Sequence, residues 1–98
     1  MANYHISRKA VSDIDGIWEY TLITWSEEQA IKYYNQIYSE IQKLAESPIY
    51  LGKTYNHIKN GLMGYRVGHH IIFYRRRKDN DVMIVRVLHE RMDFPRHL

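Results

Sequence analysis

The chain has 98 residues, of which 45% are hydrophobic and 26% charged, and its formal net charge is +3. This length and composition fit one folded domain over residues 1–98 and do not suit a disordered or fibrous protein. The absence of cysteine excludes disulfide bonds, thiolate catalysis and cysteine-ligated zinc. No run approaches the roughly 20 apolar residues of a membrane span, so we expect a cytoplasmic protein without membrane association.

The charges are distributed unevenly along the chain. Residues 1–46 contain four Lys or Arg against seven Asp or Glu, whereas residues 47–98 contain ten against four. No acidic residue lies between Glu46 and Asp79, although that stretch contains seven basic residues. Such a positive field attracts an acidic protein segment or a nucleic-acid backbone. A solvated basic face that only keeps the protein soluble is the alternative.

The first elements in chain order are a short strand and a helix. Residues 3–7 alternate between polar and apolar side chains, which predicts a strand, and Ser7 suits the start of a helix. Apolar residues at steps of three and four predict one buried helical stripe. Its members are Ala10, Ile14, Ile17, Trp18, Thr21 and Trp25.

A second helix is predicted to begin at Ser26, because Ser26 and Gln29 have the spacing of a capping box. Ser47 and Pro48 are expected to end it, since proline disfavours helical geometry in the preceding residue. The predicted apolar stripe is Ala30, Tyr34, Ile37, Ile41 and Leu44. With almost no residues between them, the two helices should form an antiparallel hairpin.

The second half of the chain is predicted to be a loop followed by three strands. Residues 48–62 mix Gly, Pro and Asn without a clean period, which indicates an ordered loop. Strands are expected at residues 63–67 and 69–77, with a tight reversal at Gly68, and a third begins at Val82. We therefore expect an α+β fold: an N-terminal strand, an antiparallel two-helix hairpin and a three-stranded antiparallel meander that form one sheet.

The strand that begins at Val82 is predicted to be interior, because six of its first seven residues are apolar. A regular strand would put Ile84, Arg86 and Leu88 on one face and His89 on the other. A guanidinium among apolar neighbours needs a partner, which is either an acid on a helix or an acidic ligand. The apolar run ends after Leu88 in a polar cluster, where we expect recognition or chemistry.

The sequence offers few routes to catalysis. His69 and His70 are adjacent on a predicted strand and face opposite ways, and no H-x-x-x-H lies on either helix. We therefore expect no metal and no cofactor. Metal-free RNA cleavage remains, in which acid–base and phosphate-stabilising groups would come from the second half of the chain. The candidates are His89, Tyr74, Arg66 and Arg86. No carboxylate lies in the loop or in the first meander strand, which weighs against cleavage.

Several motifs occur in order along the chain. They are I-W-x-Y at residues 17–20, L-A-x-x-P at 44–48, I-F-Y-R at 72–75 and the most specific, I-V-R-V-L-H-x-R-M-D, at 84–93. With these motifs the sequence resembles the ParE toxins of bacterial toxin–antitoxin modules, within the RelE/ParE superfamily. The similarity runs from Ile6 to about Asp93.

The resemblance implies a toxin of a type II toxin–antitoxin module that inhibits DNA gyrase by binding and not by catalysis. It also implies a co-expressed ParD-like antitoxin with an acidic, amphipathic C-terminal tail, in a heterotetramer or larger assembly that contacts DNA only through the antitoxin. A RelE-like mRNA endoribonuclease is the alternative. The ribonuclease branch has an arginine where Ile71 and Ile72 stand, and only His89 matches its catalytic ending. An inactive module that binds the antitoxin and represses their operon is a third hypothesis.

The acidic tail of the antitoxin is expected to dock on the basic half of the toxin, with arginines as anchors and apolar side chains as the floor. The predicted antitoxin- or target-binding residues are Arg66, Tyr74, Arg75, Arg86, His89, Arg91 and Met92. Tyr74 and Arg66 also allow simpler interpretations, as a packed ring and a rim charge. His89 would be catalytic only in a ribonuclease.

Overall fold

The computed structural model describes residues 3–98, which form a five-stranded sheet and three helices. The elements are β1 (Tyr4–Ile6), α1 (Arg8–Thr24), α2 (Glu27–Glu46), β2 (Lys53–Thr54), β3 (Met63–Val67), β4 (His70–Arg76), β5 (Val82–His89) and α3 (Phe94–His97). The strand order is β1-β5-β4-β3-β2. This confirms the α+β fold, but the sheet is mixed, because β1 pairs parallel with β5 while the other pairs are antiparallel.

Both long helices begin where the sequence predicts. The Ser7 Oγ atom accepts a hydrogen bond from the Ala10 N–H group, and the Ser26 Oγ atom accepts one from Gln29. Each cap satisfies a backbone donor that the first helical turn leaves without a partner. The placement of Trp25 in the buried stripe is wrong: its side chain is 72% exposed, since it lies beyond the last residue of α1.

The sheet is covered on both faces. A larger core lies between the sheet and the two long helices, and it includes Ile14, Ile37, Ile41, Ile72, Tyr74 and Ile84. A smaller core lies on the other face, where Leu62, Ile71, Phe73 and Leu88 pack against Tyr55, Ile58, Phe94 and Leu98. The loop after β2 and the C-terminal helix α3 therefore cover the second face. The interior position of β5, between β1 and β4, is confirmed.

A bulge interrupts the pairing of β4 with β5. Phe73 pairs with Arg86 and Tyr74 pairs with Ile84, so Val85 has no opposite residue. Because an extra residue reverses the alternation of side chains, Ile84 belongs to the larger core and Leu88 to the smaller one. The expectation that these two residues share a face is therefore wrong.

The second half of the chain differs from the prediction in one short strand and agrees with it at the Gly68 turn. The edge strand β2 lies inside the predicted loop and pairs with β3, Lys53 opposite Gly64. The reversal at Gly68 has a positive φ of 58°, and a Cβ atom there would lie 2.8 Å from the Tyr33 hydroxyl. Only glycine meets both conditions without strain. Within the described part of the chain, no helix is long and apolar enough to cross a membrane.

Candidate functional site

The polar cluster at the end of β5 is organised by Glu90. Its carboxylate accepts hydrogen bonds from the Arg66 Nη2 atom at 2.7 Å and from the His69 Nδ1 atom at 2.9 Å. These bonds, first that of His69 and then that of Arg66, lower the pKa of Glu90. The Arg66 Nε atom also donates to the Gly68 carbonyl at 3.1 Å. The β3–β4 turn is thereby tied to the end of β5.

Two histidines face each other across β4 and β5 beside this cluster. His70 pairs with His89 in the sheet register, and their ring centroids are 5.4 Å apart. The His70 Nδ1 atom lies 2.7 Å from the Tyr33 hydroxyl, which donates to the Val67 carbonyl at 2.9 Å. Burial, and next the neighbouring His89, lower the pKa of His70 to about 4, so its ring is neutral at pH 7. Across residues 3–98, no three His, Asp or Glu side chains converge on a metal position.

A cavity of about 410 Å³ opens between α1 and the ends of β4 and β5. Its wall includes Gly16, Ile17, Tyr20, His70, His89 and Met92. Tyr20 and Met92 are exposed, and Gly16 places only backbone there, so an apolar side chain of another molecule could enter. We call this cavity the α1–β5 groove.

Arg86 is paired inside the protein. Its Nε and Nη2 atoms donate to the Asp13 carboxylate at 2.7 and 2.8 Å, and its Nη1 atom donates to the His97 carbonyl at 2.8 Å. Asp13 also accepts the Val87 N–H group at 3.0 Å. The two side chains are only 15% and 14% exposed, and the hydrogen bond to Asp13 raises the pKa of Arg86. Of its two interpretations, the salt bridge to a helix acid is the one observed.

Tyr74 is also turned inward. Its side chain is completely buried in the larger core. The hydroxyl donates to the Leu51 carbonyl at 2.6 Å and accepts the Leu51 N–H group at 2.8 Å. The residue therefore holds the loop after α2 against the sheet and does not line the surface.

The other predicted binding residues remain accessible. Arg66, Arg91 and Met92 are exposed at the end of β5, where His89 lines the α1–β5 groove. Arg75 is exposed near the opposite end of β4, five residues after His70 and therefore about 16 Å from it at the usual strand rise. The structure thus brings together Arg66, His89, Arg91 and Met92 and places Arg75 apart from them.

One structural cation was missed by the sequence analysis. The Arg76 Nη2 atom donates to the Leu44 and Ser47 carbonyls at the end of α2, and the guanidinium lies 5.4 Å from the Tyr50 ring centroid. A cation at this position is favoured by the helix dipole. The sequence indicates this role, because Arg76 lies on the same face of β4 as Ile72 and Tyr74, and that face points towards the helices.

An exposed apolar cluster at the end of the helical hairpin was also missed. Leu22 is 40% exposed, Ile23 84% and Trp25 72%. We call these three residues the hairpin tip. The signal was present in the sequence, because Ile23 falls outside the predicted buried stripe of α1.

The comparisons with known proteins place the chain in one family. The sequence matches the family model of the ParE toxin of type II toxin–antitoxin systems, parDE, over residues 4–94. It is 36% identical over 98 residues to Toxin ParE1 of Caulobacter vibrioides, covering 100% of this chain and 99% of that protein. It is 32% identical over 97 residues to Toxin ParE1 of Mycobacterium tuberculosis, covering 99% of this chain and 98% of that one.

A solved structure has the same fold. It is described as the chromosomal ParDE TA system from P. aeruginosa, and the two chains superpose with a TM-score of 0.77. The match covers 91% of this chain and 96% of that chain at 18% identity, so it bears on the fold alone. Taken with the sequence matches, these findings show that the chain belongs to the ParE toxin family of type II toxin–antitoxin systems.

Proposed function

We propose that this toxin arrests bacterial growth by binding DNA gyrase, and that a ParD-like antitoxin with an acidic, amphipathic tail neutralises it. Family membership supports the toxin and its antitoxin partner. One observation carries the choice of binding over catalysis. Two of the four side chains predicted for RNA cleavage, Tyr74 and Arg86, are occupied inside the protein, whereas four of the seven predicted for binding are exposed.

The antitoxin surface is centred on the α1–β5 groove. Apolar residues of the antitoxin tail would enter between Tyr20 and Met92, and its carboxylates would meet Arg66 and Arg91 at the end of β5. Arg91 makes no ion pair within residues 3–98, so its charge is available to a partner. Arg75 could bind a later part of the same tail, since five extended residues span about 16 Å.

The state of the cleavage candidates supports a binding toxin. The Tyr74 hydroxyl is used by Leu51, and the Arg86 guanidinium is used by Asp13 and His97. Metal-free RNA cleavage needs a base, an acid and a cation around one phosphate. His89 and Arg66 are the remaining candidates, and Arg66 is paired with Glu90.

The gyrase assignment is tested with purified components. Relaxed plasmid, ATP and gyrase are incubated with increasing amounts of the toxin, and supercoiling should be inhibited both by the wild type and by His89→Ala. Normal supercoiling at a large excess of toxin would contradict the proposed target. Transcripts that are cut by the wild type and left intact by His89→Ala would instead support the ribonuclease. Expression without growth arrest would support the inactive module.

The antitoxin surface is tested by charge reversal. Arg66→Glu together with Arg91→Glu should weaken binding of the antitoxin encoded beside the toxin gene by at least about tenfold, because two attractive contacts become repulsive. Arg8→Glu together with Lys9→Glu is the matched control, since both residues are exposed at the start of α1. An equal loss in the control would show that only net charge matters and would contradict the proposed surface.

A further inference from the structure

The hairpin tip contributes little to the protein's own core. The completely buried residues of α1 are Ala10 and Ile14, both in its first half. Beyond them the helix carries the large exposed side chains of Leu22 and Ile23, and Trp25 follows at its end. Single exposed apolar residues are normal, but adjacent ones indicate a contact with another molecule.

The tip is held by backbone hydrogen bonds. The Trp25 N–H group donates to the Thr21 carbonyl at 2.9 Å, and the Ala30 N–H group donates to the Ser26 carbonyl at 3.0 Å. Only Trp25 and Ser26 separate the two helices. Because the apolar side chains already stand on ordered backbone, a partner would order few further groups on binding, which favours affinity.

The surroundings of the tip are acidic. The charged residues within six positions of Leu22, Ile23 or Trp25 are Glu19, Glu27 and Glu28, and Lys32 follows seven positions after Trp25. None of the three carboxylates makes an ion pair within the described residues. Such a field repels nucleic acid and anionic lipid surfaces. It favours a protein surface with Lys and Arg.

We infer that the hairpin tip inserts into an apolar pocket rimmed by basic residues on the toxin's protein target, and that this contact is separate from the antitoxin-binding groove. This inference rests on the proposed toxin function and names the surface that meets the target. Tyr20 of the α1–β5 groove is only two residues before Leu22 in the same helix. An antitoxin in the groove would therefore block a large target sterically without covering the tip.

The test compares two matched double variants. Ile23→Ser with Trp25→Ser removes the tip, whereas Ile49→Ser with Tyr50→Ser removes an isoleucine and an aromatic residue that are 65% and 54% exposed after α2. Toxin is induced in bacteria over a range of levels, and the level that halves growth is measured. For the tip variant this level should rise about 30-fold, as expected when central contacts of an interface are lost. The control should act like the wild type.

The same variants separate the possible outcomes. The tip variant should keep the wild-type melting temperature and bind the antitoxin within about threefold of the wild type, because exposed side chains contribute little to stability. If wild type and tip variant arrest growth equally, the inference alone is overturned. If the wild type does not arrest growth, the proposed function fails and the inference falls with it. Loss of antitoxin binding in the tip variant would overturn the separation of the two surfaces.

Further measurements test the chemistry of the partner. Glu27→Gln with Glu28→Gln keeps side-chain size and removes two charges, so the level that halves growth should rise severalfold; no change would contradict a basic rim. If the wild type bound anionic phospholipid vesicles and the tip variant did not, the tip would contact a membrane instead. If the wild type self-associated in sedimentation experiments and the tip variant did not, a second copy of the chain would cover the tip. Either result would overturn the inference.

Discussion

The end of the helical hairpin and the end of β5 use their side chains in different ways. At the hairpin end, apolar residues are exposed, and Glu27 and Glu28 make no ion pair within residues 3–98. At the end of β5, Val87 and Leu88 are buried and Glu90 binds Arg66, while Arg91 and Met92 are exposed. The first arrangement leaves its side chains to a partner, whereas the second combines contacts that hold the fold together with a few exposed residues. Sequence motifs alone do not distinguish these two uses, because both regions contain charges beside aromatic or aliphatic residues.

Arg86 joins β5 to the first half of α1 through Asp13, and its removal should have the largest effect on stability. Arg86→Ala leaves Asp13 nearly buried without a charge partner, which should lower the free energy of unfolding by about 3 kcal/mol. Urea denaturation measures this loss. Arg75→Ala is the control, since Arg75 is exposed, and it should change stability by less than about 0.5 kcal/mol. Equal small losses in both variants would show that the ion pair does not stabilise the contact of α1 with β5.

Tyr74 tests whether residues near β5 act within the fold. Tyr74→Phe keeps the ring and removes the hydroxyl that satisfies both backbone groups of Leu51. Stability should fall by about 2 kcal/mol, because buried polar groups lose their partner. Antitoxin affinity, measured by calorimetry under conditions where the variant is folded, should stay unchanged. If Tyr74→Phe kept the wild-type stability but bound the antitoxin more weakly, Tyr74 would act in binding and not in the fold.

The pH dependence of stability tests whether His70, beside the end of β5, is neutral in the folded protein. The folded-state pKa of His70 is about 4, below the ordinary value of 6.5, so between these values the unfolded chain binds more protons. The contribution of this neutral ring is complete above pH 6.5 and is lost as pH falls towards 4. We expect a loss on the order of 1.5 kcal/mol, allowing for partial solvent screening.

His70→Gln removes this titration and should make the stability profile less steep between pH 6.5 and 4. Thermal melts of wild type and variant across this range measure the difference. Parallel profiles would show that folding does not lower the pKa of His70, which would contradict this prediction. The side chains of the hairpin tip do not titrate, so the part of the profile that His70→Gln removes belongs to the end of β5.

The smallest expected effect concerns the tip itself. Ile23→Ser should change the free energy of unfolding by less than about 0.5 kcal/mol, because its side chain is almost fully exposed. Differential scanning calorimetry provides the measurement, with Ile14→Ser in the core as the contrasting variant. A loss above about 1 kcal/mol for Ile23→Ser would show that the tip supports the fold.

The features that sequence analysis predicted are those encoded locally. Ser7 and Ser26 cap the long helices because a hydroxyl and a nearby N–H group are neighbours in the chain. The long apolar stripe of α2 likewise predicts its buried face, with Ile37 and Ile41 in the core, although Tyr34 of that stripe is exposed. The family resemblance rested on motifs of the same kind, and the sequence matches confirm it.

The features that were not predicted depend on contacts between distant residues. The bulge at Val85 arises from the pairing of β5 with β4, and no local pattern marks it. Arg86 could pair with several acids, and the fold selects Asp13, 73 residues away. The last residues form α3 because Phe94 and Leu98 meet the apolar face of the sheet. The exposure of Trp25 likewise follows from where α1 ends relative to the sheet.

The most direct test of the account is a titration of purified gyrase with purified toxin, followed by supercoiling of relaxed plasmid. A toxin that acts by binding should inhibit supercoiling as its amount approaches that of gyrase, and pre-bound antitoxin should abolish the inhibition. The wild type and His89→Ala should give the same curve. Unchanged supercoiling at a large excess of wild-type toxin would contradict the central claim.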